Sequence, residues 1–344
     1  MGRGNITIED VAREAGVSRQ TVSRVINRSP NVSCSARVRV EQAIEALGYV
    51  PNAAARRMGG ARSYLLLAAI ERAAGDAPAR RLQLGQMLLA GLETCSAQGY
   101  HLMFEQVADE RELGAALTSL TPDGVVLLPP LDESLALHEA LGRRGIAVSC
   151  LGERVEYGRV LPGLDEAGFG EAAARRMLEQ GHRQIGFICG DGACSQRRIE
   201  GYRRALAEAG SRAHRRFVSD DPRDFAGAME LARSWLTPTI RPTAIIAGSE
   251  AVALGVLQVA RELGHAVPRD LSLLALEDTP GLARSQPPVS VLHQPLGALF
   301  AAACERLIEA GGGPRGEGAA PSVGPVEAHV FTDRGSIARA PRAV

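Results

Sequence analysis

From Tyr64 onward the sequence alternates short apolar runs with longer stretches of helical period, and that alternation narrows the fold more than any other feature. The runs Tyr64–Ile70, Tyr100–Phe104, Gly124–Leu128, Ala147–Leu151, Ile185–Ile188, Ala244–Ala247 and Leu271–Leu276 read as buried strands. Between them lie helix-like stretches near 82–98, 109–120, 134–144, 167–180, 195–209, 225–236 and 250–263. Buried strands joined by helical crossovers imply βαβ units and parallel sheets. Seven or more strands exceed one comfortable lobe, so the pattern predicts two lobes with a ligand cleft between strand ends. The only low-complexity piece, 311–318, reads as a surface loop.

The first fifty residues follow a different rule. Thr7 and Asp10 form a capping-box-like start, and Ile8, Val11, Ala12 and Ala15 make one apolar stripe. Gly16 suits the left-handed position of a tight turn. Ser18 caps a second helix, 19–26, with Val22, Val25 and Ile26 inward. Ser33 caps a third, roughly 34–47, ended by Gly48 and Pro51. Two short helices around a Gly-containing turn, completed by a third, describe a helix-turn-helix unit. Its second helix would present Arg19, Gln20, Thr21, Ser23 and Arg24 to base edges and phosphates. An ordinary three-helix domain with a solvated polar face fits the same periodicity.

Charge separates these regions. Residues 1–62 hold ten Arg against five acids, about +5, while the whole chain is neutral, so the rest carries about −5. A basic head on an acidic body predicts that only the head meets a polyanion. All 39 basic residues are Arg, which excludes chemistry that needs a lysine amine. The segment 52–58 can form a short helix that stops at Gly59 and Gly60. It is too short to be stable unsupported, with Arg56 and Arg57 for phosphates and Met58 as a minor-groove wedge. A plain linker is the other reading of it.

The run from Ile6 to Asn27, then Val32-Ser33 and Gly48-Tyr49-Val50-Pro51-Asn52, resembles the head of the lac/gal repressor family. The body is similar to that family's periplasmic-binding-protein-like sensor through Asp165-Glu166-Ala167-Gly168, Gly181-His182, Arg198 with Gly201-Tyr202, Ala253-Leu254-Gly255 and Gln294-Pro295. The resemblance implies an all-α DNA-binding head, 1–51, a hinge helix and linker, 52–62, and an α/β two-lobed core, 63–344, with parallel sheets. Lobe 1 would take about 63–162 and 292–323, lobe 2 about 163–291 and 324–335. It also implies DNA contacts by Thr7, Ser18, Arg19, Gln20, Thr21, Ser23, Arg24, Asn27, Asn52, Ala55, Arg56 and Met58. Effector contacts would come from Glu71, Arg198, Ser249, Glu250, Glu277 and Asp278. In this sequence Met58 stands where Leu is usual, and Ser249-Glu250 where Asn-Asp is usual.

The expected partners are double-stranded operator DNA, a second copy of the chain, and a sugar or sugar derivative that releases the operator. A non-sugar metabolite acting as co-repressor, or a soluble sugar-binding protein, is the alternative. Four acids with one or two arginines suit a polyhydroxylated ligand better than a nucleobase, which wants aromatic stacking. Six scattered cysteines without a C-x-x-C pair imply reduced thiols and no metal. The start has no apolar run, so a cytoplasmic protein without a membrane span or cofactor is expected. Gly190 to Ser195 satisfies neither G-x-S-x-G nor G-x-G-x-x-G, which argues against an enzyme.

Overall fold

The computed structural model describes residues 6–26, 32–49, 62–72, 78–128, 131, 134–151, 154–156, 159–161, 164–190, 193–221, 224–237, 240–310 and 328–341. The head comprises α1 (Ile8–Ala15), α2 (Arg19–Ile26) and α3 (Cys34–Leu47). Thr7 and Asp10 close a reciprocal capping box, and Ser33 accepts the amide of Ala36. Gly16 and Gly48 end their helices at φ 61° and 62°, where a side chain would be strained. Val11, Ala15, Val22, Val25 and Val40 fill the small core between the three helices.

The body begins with β1 (Leu65–Glu71), α4 (Pro78–Ala97), β2 (His101–Val107), α5 (Glu110–Leu120), β3 (Gly124–Leu127), α6 (Leu135–Arg143) and β4 (Ala147–Cys150). These strands form a parallel sheet in the order β2-β1-β3-β4, with Leu66 opposite both Leu102 and Gly124. A small antiparallel hairpin, β5 (Arg154–Glu156) and β6 (Arg159–Leu161), follows.

The second lobe contains α7 (Glu166–Glu179), β7 (Ile185–Ile188), α8 (Ala193–Glu208), β8 (Val218–Ser219), α9 (Phe225–Leu236) and β9 (Ala244–Ala247). It continues with α10 (Glu250–Glu262), β10 (Ser272–Ala275), α11 (Pro280–Arg284) and β11 (Ser290–His293). The chain then returns to the first lobe as α12 (Leu296–Ala310) before β12 (Val330–Thr332) rejoins the second. The second sheet runs β12-β11-β10-β9-β7-β8, parallel except for β12. Its parallel part repeats the order of the first sheet, placing a switch point beside β7 as there is beside β1.

Two expectations need correction. The return to lobe 1 comes after β11, so residues 292 and 293 belong to the second sheet: Leu292 pairs with Phe331, and His293 with Val330. The chain also stays with lobe 2 past residue 335, because the Ser336 hydroxyl donates to the Leu273 carbonyl and the Ala340 amide to that of Gln180. Helix α12, absent from the sequence reading, is buried along Leu296, Leu299, Phe300, Ala303, Leu307 and Ile308, packed against α4, β3 and β4 in the core of the first lobe. The loop 311–318 lies outside the described residues. Among those described, no helix is long and apolar enough to cross a membrane.

Candidate functional site

Helix α2 buries Val22 and Val25 and turns the other side outward. Arg19, Gln20 and Arg24 are exposed, and Thr21 and Ser23 half-buried. The Ser18 hydroxyl accepts the Thr21 amide at 3.1 Å and lies 2.9 Å from the Thr21 hydroxyl, fixing the helix start. Arg19 stands 3.3 Å from Glu9 with both side chains more than half exposed, an ion pair weak enough for a phosphate to replace. Gln20 and Arg24 have no side-chain partner among the described residues. The exposed Thr7 caps α1, and its hydroxyl donates to Asp10 at 2.7 Å. Asn27, Asn52, Ala55, Arg56 and Met58 lie outside the described residues.

The second site is a cleft between the lobes. Close helix packing builds its floor: a Cβ at Gly170 of α7 would collide with the Arg198 carbonyl, and one at Gly201 of α8 with that of Ala167. This backbone approach sets the first residue of α7, Glu166, against Arg198. The guanidinium donates from Nε and Nη2 to the two carboxylate oxygens of Glu166, and Nη2 also reaches Gln294 Oε1 at 3.5 Å. Phe169 lies beneath, its ring centre 5.2 Å from the guanidinium carbon. The side chains are 16% exposed for Arg198 and 4% for Glu166. Burial disfavours the arginine's charge, but Glu166 outweighs that and holds the guanidinium protonated more firmly than usual. Stranding either partner of a buried pair costs about 3–5 kcal/mol.

Around this pair, Leu276, Glu277, Asp278 and His293 come from lobe 2, and Gln83, Gln86, Met87 and Leu128 from lobe 1. They enclose two small cavities, about 40 and 60 Å³, both walled by Gln83, Arg198, Gln294 and Leu296. Small-molecule pockets usually span ~300–1,000 Å³, so a guest of that size requires the lobes to part. Burial raises the pKa of the Glu277 carboxyl, although it accepts the Glu250 amide at 3.0 Å. Asp278 is paired with Arg334 at 2.6 Å. His293 Nδ1 is buried without a hydrogen-bond partner among the described residues.

Three of the six expected effector residues, Arg198, Glu277 and Asp278, therefore share this cleft. The others are spent or apart. Ser249 caps α10 by accepting the Val252 amide, Glu250 lies against Gly281, and Glu71 is half-buried at the end of β1, outside both cavities. The sequence reading assigned no role to Glu166, Gln83, Gln294 or His293. An acid in the first turn of a helix is common for electrostatic reasons alone, which hid Glu166.

A three-helix head with an unspent basic recognition face, joined to two parallel-sheet lobes around a polar cleft, defines a ligand-responsive DNA-binding regulator. Residues 7–52 match the family described as "Bacterial regulatory proteins, lacI family", and 174–336 match "Periplasmic binding protein-like domain". The HTH-type transcriptional regulator CelR of Thermobifida fusca is 31% identical over 302 residues, 84% of this chain and 87% of that one. The chain belongs to the lacI family. Catabolite control protein A of Priestia megaterium is 27% identical over 88% of this chain and 92% of its own. Among solved structures, a CelR–cellobiose complex matches with TM-score 0.61 and 27% identity, covering 96% of this chain and 99% of that one. A lac repressor dimer bound to operator shares the fold at TM-score 0.74 and 22% identity, covering 97% and 100%.

Proposed function

We propose that this protein is a homodimeric repressor whose head, through Ser18, Arg19, Gln20, Thr21, Ser23 and Arg24, holds operator DNA, and whose cleft takes a sugar or sugar derivative that releases it. The observation that carries the second half is the Arg198–Glu166–Gln294 cluster, which joins lobe 2 to the crossover segment between β11 and α12. A hydroxylated guest exchanging hydrogen bonds with this cluster would change how the lobes meet. No Phe, Tyr or Trp lines the two cavities among the described residues, and His293 is the one ring there, which gives a nucleobase little to stack on. CelR, solved with cellobiose, makes a neutral saccharide the first effector class to try. For the dimer, the exposed Leu88, Leu89 and Leu92 of α4 offer an apolar stripe suited to a second copy. The paired hinge helices of 52–58 lie outside the described residues and belong to the same reading.

Because binding is reciprocal, effector and operator weaken each other by one factor. The test is operator binding by fluorescence anisotropy on promoter fragments, repeated across salt concentrations and saccharides. Affinity should fall about 1,000-fold between 50 and 200 mM salt, and one neutral saccharide should weaken it further. Arg198→Ala should keep DNA binding and lose the response. Salt-insensitive binding would overturn the DNA assignment, and a normal response in the variant would remove Arg198 from the effector site.

A further inference from the structure

The cleft holds its most buried cation in an unusual state: already neutralised. Both Nε and Nη2 of Arg198 are committed to Glu166, and Nη2 is shared with Gln294. Glu277 stands nearby with one backbone amide as its partner, and the Asp278 carboxylate on the same wall is matched by Arg334. Two arginines thus face three carboxylates, an excess of negative charge. An anionic ligand reaching for Arg198 would meet a guanidinium whose charge is already balanced, by a carboxylate that is itself out of water and has no other cation among the described residues. A hydroxyl faces no such conflict, since it can accept from the guanidinium and donate to the carboxylate at once.

We infer that Glu166 is a specificity-determining residue, which converts the cleft's arginine from an anion receptor into a donor–acceptor pair for neutral or amine-bearing polyols and excludes phosphate and carboxylate groups. This deepens the proposed effector reading, and rests on it only for the position of the site. Removing the carboxylate should free a buried guanidinium, which then seeks an anion.

The test is calorimetry and thermal shift on the full chain with neutral mono- and disaccharides, glucosamine, glucuronate, glucose 6-phosphate and inorganic phosphate. Wild-type protein should ignore the three anions. Glu166→Gln should gain at least tenfold affinity for one or more of them, and Glu166→Asp, which keeps the charge, should not. Circular dichroism melting identifies a variant that fails to fold, in which case Glu166→Ala takes its place. Wild-type binding of glucuronate or glucose 6-phosphate as tight as that of any saccharide would overturn the inference, as would unchanged anion affinity in the folded variant. If no saccharide binds wild type, yet the variant gains phosphate, the role of Glu166 stands and the sugar reading falls.

Discussion

The head and the cleft use polar side chains in opposite ways. On α2, Arg19, Gln20 and Arg24 face water with little or nothing bound to them, so contact with DNA exchanges solvent and counterions for phosphates and bases. In the cleft, Arg198, Glu166, Asp278 and Arg334 are already matched to one another, and a ligand must compete with protein. The contrast teaches where selectivity resides. A reader of a polyanion gains by leaving charge unspent, whereas a sensor of small molecules gains by pairing its charges beforehand, so that entrants are sorted by whether they can join the pair.

The largest expected effect tests whether the cleft depends on its scaffold. Gly201→Ala should cost about 3 kcal/mol, because the added methyl meets the backbone carbonyl of Ala167 and neither helix has slack. Urea unfolding of the full chain measures this, and a variant as stable as wild type would mean that α7 and α8 can separate freely. On the head, Arg24→Ala should weaken operator binding by about 2 kcal/mol, roughly 30-fold, and relax one base position without altering saccharide affinity. Equal loss on every sequence would instead mark a phosphate contact.

The smallest effect sharpens the comparison through pH. His182 is buried, with Nδ1 2.9 Å from the Thr243 hydroxyl and Nε2 3.0 Å from the Ala338 carbonyl. Burial lowers its pKa below the ordinary value of 6.5, a change only partly opposed by the Ala338 carbonyl. Below pH 6.5 the unfolded chain therefore takes up a proton that the folded one refuses. Its stability is intact above that pH and lost progressively as pH falls toward the folded-state pKa. In the head, Asp10 is lowered by its bonds to Thr7, so its contribution persists until pH drops below the ordinary carboxylate value of 3.8. Melting between pH 7 and 5.5 should accordingly loosen the body first, and His182→Gln should flatten that slope. An unchanged slope would place the pH sensitivity elsewhere.

The same contrast explains what the sequence disclosed. The head was legible because its determinants are local: Thr7 with Asp10, Ser33, Gly16 and Gly48 each act within one turn of the helix they start or stop. Seven strands of the two sheets were legible as apolar runs, whereas β8, β11 and β12, of two to four residues each, were not read. The hairpin β5–β6, with Arg154, Glu156 and Arg159 among its six residues, offers no such run. Helix α12 escaped because its burial depends on α4, β3 and β4, far earlier in the chain. Arg198, Glu277 and Asp278 were found by resemblance. Glu166 and Gln294 were not assigned, since they meet Arg198 across 32 and 96 residues of chain and no periodicity encodes that pairing. The repeated strand order of the two lobes likewise leaves no repeat in the sequence.

The detour of α12 has a consequence for biosynthesis. The head can fold once its own residues leave the ribosome, but the β1 face that carries Leu66, Ala68 and Ile70 waits for Phe300 and Ile308, encoded after all of the second lobe but β12 and the tail. At ~5–20 residues per second that wait is on the order of ten seconds. Through it a nascent chain holds an uncovered apolar sheet behind a head whose own small core is already complete.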